Sequence, residues 1–152
     1  MLRVKLGDAL KVAMKSNNRR AVSTLRLILA ALKERDIANR TQGANEEGVG
    51  EEEILQLLQS MIKQRNESIK AFKKGGRMEL VEQEAGEIAV IERFLPDQMS
   101  DDEIEKEVDA VIAEFDALTL KDMGKVMGAL RERFPGSMDF SKASGFLKEK
   151  LG

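Results

Sequence analysis

From residue 51 to residue 74 the apolar side chains Ile54, Leu57, Leu58, Met61, Ile62, Ile69 and Phe72 fall at the spacing of one face of an α-helix. Glu51, Glu52 and Glu53 open this run and Lys73 and Lys74 close it, each charge at the end where the helix dipole favours it. Gly75-Gly76 then stop it. A helix this long, apolar along one face, obliges the rest of the chain to supply faces that cover it.

The remaining segments read the same way. A first helix fits residues 2 to 15, with Leu2, Leu6, Ala9, Leu10, Ala13 and Met14 on one side, and ends at Ser16-Asn17-Asn18. The second fits residues 19 to 40, with Val22, Leu25, Ile28, Leu29 and Leu32 on one face, and runs into the turn-rich segment TQGANEEGVG at 41–50. A fourth spans residues 77 to 94 around Leu80, Val81, Ile88, Val90, Ile91 and Leu95, and Pro96 prevents its continuation. Ser100-Asp101-Asp102-Glu103 is a capping-box pattern that opens a fifth helix carrying Ile104, Val108, Val111, Ile112 and Phe115. A sixth starts at Thr119 and reaches Phe134, and Pro135-Gly136 separates it from a last one ending near Leu151. The expectation is an all-α protein: a four-helix N-terminal domain over 1–95 and a three-helix C-terminal domain over 96–152, with the boundary near 96–99.

Composition agrees: 34% of residues are charged, 4% aromatic and 42% hydrophobic, with strong helix formers prominent. With no cysteine and no histidine, disulfides, Cys/His zinc sites, thiol nucleophiles and imidazole-based triads are excluded. Among the 27 Asp and Glu no carboxylate pair stands apart from ordinary helix surface, and no Ser/Lys arrangement stands out. No catalytic residue, metal site or cofactor is expected. Neither a signal-peptide pattern nor a membrane-length apolar run is present, which reads as a cytoplasmic protein without a membrane partner.

Charge is distributed unevenly. Residues 1–78 hold 16 Lys+Arg against 9 Asp+Glu, and residues 79–152 hold 9 against 18. Such a division suits a polyanion partner for the basic half, or attraction between the halves.

The stretch KDMGKVMGAL, residues 121–130, is helical in pattern yet holds Gly124 and Gly128. A phosphate-binding P-loop is excluded, because Gly124-Lys125 is followed by Val126 rather than Ser or Thr and no strand precedes it. On a helical wheel Met123, Val126, Met127 and Leu130 gather on a core face. Lys121, Gly124, Gly128 and Arg131 form a neighbouring stripe, with Lys125 beside it. Each interior glycine costs about 1 kcal/mol against alanine, so something should offset it. Two explanations fit: another helix packs against the bare backbone, or a phosphodiester backbone does, with Lys121, Lys125 and Arg131 supplying charge.

Two further basic stripes, Arg19, Arg26 and Lys33 on the second helix and Lys63, Lys70 and Lys74 on the third, could track phosphates or be solvated edges. Arg65 falls inside an apolar face and calls for a carboxylate, with Glu84 or Glu87 as partners in a structural role. Six phenylalanines at mostly core spacing, with no Tyr or Trp, leave little for bases to stack on. RNA recognition would then be of backbone and shape.

Four motifs in order along the chain carry a resemblance: Lys63-Gln64-Arg65-Asn66-Glu67-Ser68 with Phe72; Arg77, Leu80-Val81 and Glu84; Phe94-Leu95-Pro96 with Gln98; and Lys121-Asp122-Met123-Gly124-Lys125-Val126-Met127. Together they resemble the YqeY family. That family is similar to the tail of the GatB subunit of tRNA-dependent amidotransferase, which is associated with holding tRNA. The resemblance implies an all-helical protein in two domains, a tRNA partner, and Lys121, Gly124, Lys125 and Gly128 as contact residues. It implies no DNA partner and no catalysis from this chain alone, since the amidotransferase chemistry belongs to a cradle domain and an amidase subunit that do not fit in it. Phe94 stands where the family often has tyrosine, so any role of that hydroxyl is absent. Three readings therefore stand: a tRNA-binding or amidotransferase-associated accessory module, a helical protein-interaction module, and participation in glutamine-dependent amidotransferase activity.

Overall fold

A computed structural model describes residues 1–41 and 48–152. Among these residues the regular structure is entirely helical: α1 (Leu2–Lys15), α2 (Arg19–Thr41), α3 (Glu51–Lys74), α4 (Met78–Glu92), α5 (Asp101–Glu114), a 3-10 turn (Leu120–Asp122), α6 (Met123–Arg133) and α7 (Phe140–Leu151), with no strand. Of the turn-rich segment at 41–50, residues 42–47 lie outside the described residues. The chain divides into two compact units, Met1–Leu95 and Pro96–Gly152.

In the first unit α1 packs on α2, and α4 lies along both α3 and α2. Leu6, Leu25, Ile28, Ile54, Leu58 and Ile91 are fully buried at their junction. α1 ends as Ser16 Oγ donates to the Val12 carbonyl at 3.1 Å, and Asn17 turns the chain at φ 56°. Asn18 Oδ1 then accepts from Ala21 N at 3.2 Å, which caps the start of α2. α3 ends on Gly76 at φ 71°, with Arg77 N donating to Phe72 O at 2.9 Å and Gly76 N to Lys73 O at 3.1 Å, the Schellman arrangement that favours glycine.

A polar clamp fixes the entry to α3. Arg3 donates to both carboxylate oxygens of Asp36, at 2.9 and 2.6 Å, and also to the Val49 carbonyl at 3.0 Å. Val49 N donates back to Asp36 Oδ1 at 2.9 Å. The Arg3 hydrogen bonds, followed by that of the Val49 amide, hold the Asp36 carboxyl down to about 2. Gly48, at φ 92°, brings the backbone against this pair: a Cβ there would lie 2.5 Å from Asp36 Oδ1 and 2.6 Å from an Arg3 guanidinium nitrogen.

The second unit is built around Ile104, Val108, Val111, Val126, Leu130, Met138, Ala143 and Leu147, all buried. The Ser100–Glu103 capping box forms, with Glu103 N donating to Ser100 Oγ at 3.2 Å and Ser100 N to Glu103 Oε1 at 3.1 Å. Asp139 caps α7 by accepting from Ser141 N at 2.9 Å and Lys142 N at 3.3 Å. The connector before α7 is tied to the start of the unit by Met99 N to Ser137 O at 2.9 Å and Gln98 Nε2 to Gly136 O at 2.6 Å.

Several expectations need correction. α4 ends at Glu92 rather than Phe94, because Phe94 and Leu95 bond to carbonyls three residues back and close a tighter turn before Pro96. The helix expected from Thr119 begins as a 3-10 turn and becomes α-helical only at Met123. Asp122 Oδ2 accepts from Leu118 N at 2.9 Å and Thr119 N at 3.2 Å, which holds that turn. Met14 is 50% exposed, since none of the described residues covers that edge of α1. Of the six phenylalanines, Phe94, Phe134, Phe140 and Phe146 pack against the cores as their spacing suggests, whereas Phe115 is exposed.

Candidate nucleic-acid interface

α6 turns Val126, Met127 and Leu130 into the core of the second unit and leaves its other side in solvent. On that side Lys121, Gly124, Lys125, Gly128 and Arg131 are all exposed. Gly124, Gly128 and Arg131 sit at i, i+4 and i+7, a single edge of the helix with about 6 Å of rise between the glycines. Lys121 lies on the 3-10 turn, so the wheel drawn through residues 121 to 131 does not fix its place on that edge.

The glycines answer one question directly. A Cβ built on either Gly124 or Gly128 meets no heavy atom of the described residues within 4 Å outside the helix's own backbone. Expected packing of another helix against this backbone is therefore not found. Because α6 begins at Met123, Gly124 lies in the first turn, and the propensity cost falls mainly on Gly128. Gly7 on α1 and Gly145 on α7 are also open, so open space alone does not single out α6.

Charge does. Residues 96–152 hold 8 Lys+Arg against 13 Asp+Glu, so carboxylates are plentiful. Arg133 pairs with Glu114 at 2.7 Å, Lys142 with Asp101 at 2.8 Å, and Lys150 with Asp109 at 2.8 Å and Glu105 at 3.2 Å. Lys121, Lys125 and Arg131 have no ion pair among the described residues. Arg131 instead stands over the Phe140 ring, 5.9 Å from its centroid, a cation–π contact. The Asp122 carboxyl is held below the usual range, chiefly by the Leu118 and Thr119 amides, with Lys125 a smaller cause. Lys106 on α5 and Lys148 on α7 are likewise exposed without an ion pair among the described residues, so what distinguishes α6 is that its three such cations lie around two open glycines.

The other candidates lie on the first unit. Lys33 on α2, and Lys63, Lys70 and Lys74 on α3, are exposed and have no ion pair among the described residues. Arg19 and Arg26 instead line a groove with Met14, Asn17, Val22, Ser23 and Leu27. Arg65 donates through Nε to Glu87 at 2.9 Å and through a terminal nitrogen to Met61 O at 3.1 Å, with Glu84 4.0 Å away, which joins α3 to α4. Its side chain is only 13% exposed, matching Glu87, so the pair is a packed strut rather than a contact surface. Among the described residues no acidic cluster converges as a metal site.

Two features escaped sequence reasoning. The Arg3–Asp36 clamp joins residues 33 apart, and no local pattern marks it. Arg20 lies across Gly86, where a Cβ would meet the arginine side chain at 2.5 to 2.8 Å; a glycine inside the apolar pattern of α4 was its only signal.

Comparison with known proteins completes the picture. An uncharacterized protein of Schizosaccharomyces pombe, C22F3.15, is 31% identical over 100 residues, which cover 66% of this chain and 73% of that protein. Residues 3–151 match the family model described as Yqey-like protein. That match runs from the first turn of α1 to the end of α7, and the chain belongs to the YqeY family.

Proposed function

We propose that this protein is an RNA-binding accessory module, directed at tRNA and without chemistry of its own, acting in the cytoplasm. Its two compact units serve as separate domains, four helices and then three, divided near 96–99. The observation that carries the reading is the α6 edge: Gly124 and Gly128 are exposed with open space before them, between cations that have no ion pair among the described residues. Tight internal packing would have explained the glycines without a ligand. The tRNA assignment rests on the resemblance to the amidotransferase tail, and the contact residues are Lys121, Gly124, Lys125, Gly128 and Arg131.

A phosphate-backbone contact is sensitive to salt, because binding releases counterions. Filter binding of bulk tRNA across a salt series tests this. Lys121→Glu/Lys125→Glu should weaken binding by roughly 10- to 100-fold and lower the salt slope by about 2, the loss expected for two phosphate contacts. Binding that is absent at low salt, or indifferent to the double substitution, sinks the assignment. Glutamine-dependent turnover by the purified chain would overturn the absence of chemistry.

A further inference from the structure

The corner between α1 and α2 holds a groove of about 660 Å³ lined by Met14, Asn17, Arg19, Val22, Ser23, Arg26 and Leu27. Two of its apolar members stand half in solvent, Met14 at 50% exposed and Leu27 at 47%, and Val22 is partly covered. The walls are preformed, since Ser16 and Asn18 fasten the turn between the helices and Asn17 sits in the left-handed region. The helical repeat seen in Arg19, Arg26 and Lys33 is split by this geometry. Arg19 and Arg26 border an apolar floor, whereas Lys33 lies outside the groove.

We propose that this groove docks an acidic amphipathic helix of a protein partner. The floor of Met14, Val22 and Leu27 takes the apolar face, and methionine adapts to irregular side chains. Arg19 and Arg26 are two helical turns apart, about 10 Å of rise, so carboxylates at i and i+7 of a partner helix meet both. Neither arginine has an ion pair among the described residues, so both are available to carboxylates of a partner. The groove is too open to enclose a small molecule. A phosphate backbone would leave the apolar floor unused. This inference is independent of the RNA reading, which concerns α6.

Panning of a phage-displayed library of helical peptides against the full chain tests it. Selected peptides should place Asp or Glu beside Leu, Ile, Phe or Met at helical spacing. The strongest of them, made as a labelled synthetic peptide, should lose at least tenfold in affinity for Leu27→Glu and for Arg19→Glu/Arg26→Glu. Both variants change exposed side chains, and thermal melts should match the parent. No enrichment, enrichment of basic peptides, or peptides indifferent to both variants overturns the proposal. So does groove-dependent binding of phosphatidylglycerol vesicles or tRNA with no peptide binding.

Discussion

Gly48, ahead of α3, and Gly128, within α6, are the same residue in opposite circumstances. At Gly48 the backbone has φ 92° and a side chain would collide with the Arg3–Asp36 pair. At Gly128 the helix is regular and nothing stands within 4 Å. Folding of the first unit requires its glycine. Folding of the second gains nothing from Gly128 and gives up about 1 kcal/mol of helix propensity. On the proposed reading, the space at Gly128 admits a ligand to the backbone; Gly7 and Gly145 are as open but are not flanked by three cations that lack an ion pair among the described residues. The cations repeat the contrast: Arg65 is packed between α3 and α4 against Glu87, while Lys121 and Lys125 stand in solvent with no ion pair among the described residues.

The sharpest way to break this contrast is to make one substitution in both places. Gly48→Ala should destabilise the first unit by about 2–4 kcal/mol, combining left-handed strain with displacement of the clamp. Urea denaturation that shows no loss would remove the requirement assigned to Gly48.

The clamp itself titrates. Asp36 has a folded-state value near 2, below its unfolded value, so its contribution is full above about pH 4 and fades as pH falls toward 2. Arg3 is 37% exposed and screened by solvent, so the contribution is about 1–2 kcal/mol rather than the full linkage value. Denaturation of Asp36→Asn and the parent should differ by that amount at pH 7 and converge toward pH 2. A constant gap would show that the charge of Asp36 is not what holds the clamp.

Gly128→Ala should act in the other direction, raising the stability of the second unit by up to about 1 kcal/mol, with Gly124→Ala gaining less in the first turn. Gly86→Ala falls between the cases. Its new methyl displaces the flexible, exposed Arg20 side chain, and the helix gain offsets this to within about 0.5 kcal/mol. A loss as large as that of Gly48→Ala would make Gly86 a second glycine that folding demands.

How much of this was legible in sequence follows from the range of each interaction. α1, α2, α3 and α5 were readable because apolar spacing, the Glu51–Glu53 and Lys73–Lys74 charges and the Ser100–Glu103 box act within one or two turns. The α6 core face was readable for the same reason. The Asp122-held turn was not, because a side chain accepting amides of Leu118 and Thr119 competes with the α-helix that propensity alone would extend. Nor was the exposure of Met14: a wheel gives the apolar side of α1 but not how much of it α2 covers. At the candidate site, residue identities were legible while the decisive fact, that Gly124 and Gly128 face open space, depends on where the other helices of the unit go.

The central claim is that the α6 glycines serve a ligand rather than the fold. The direct test measures both the unfolding midpoint and tRNA affinity of Gly124→Ala/Gly128→Ala. The account predicts an equal or higher midpoint with affinity reduced by about tenfold or more, the loss expected when two methyl groups hold a phosphate chain off the helix and weaken its charge-assisted contacts. A lowered midpoint, or a raised one with tRNA binding intact, would contradict it.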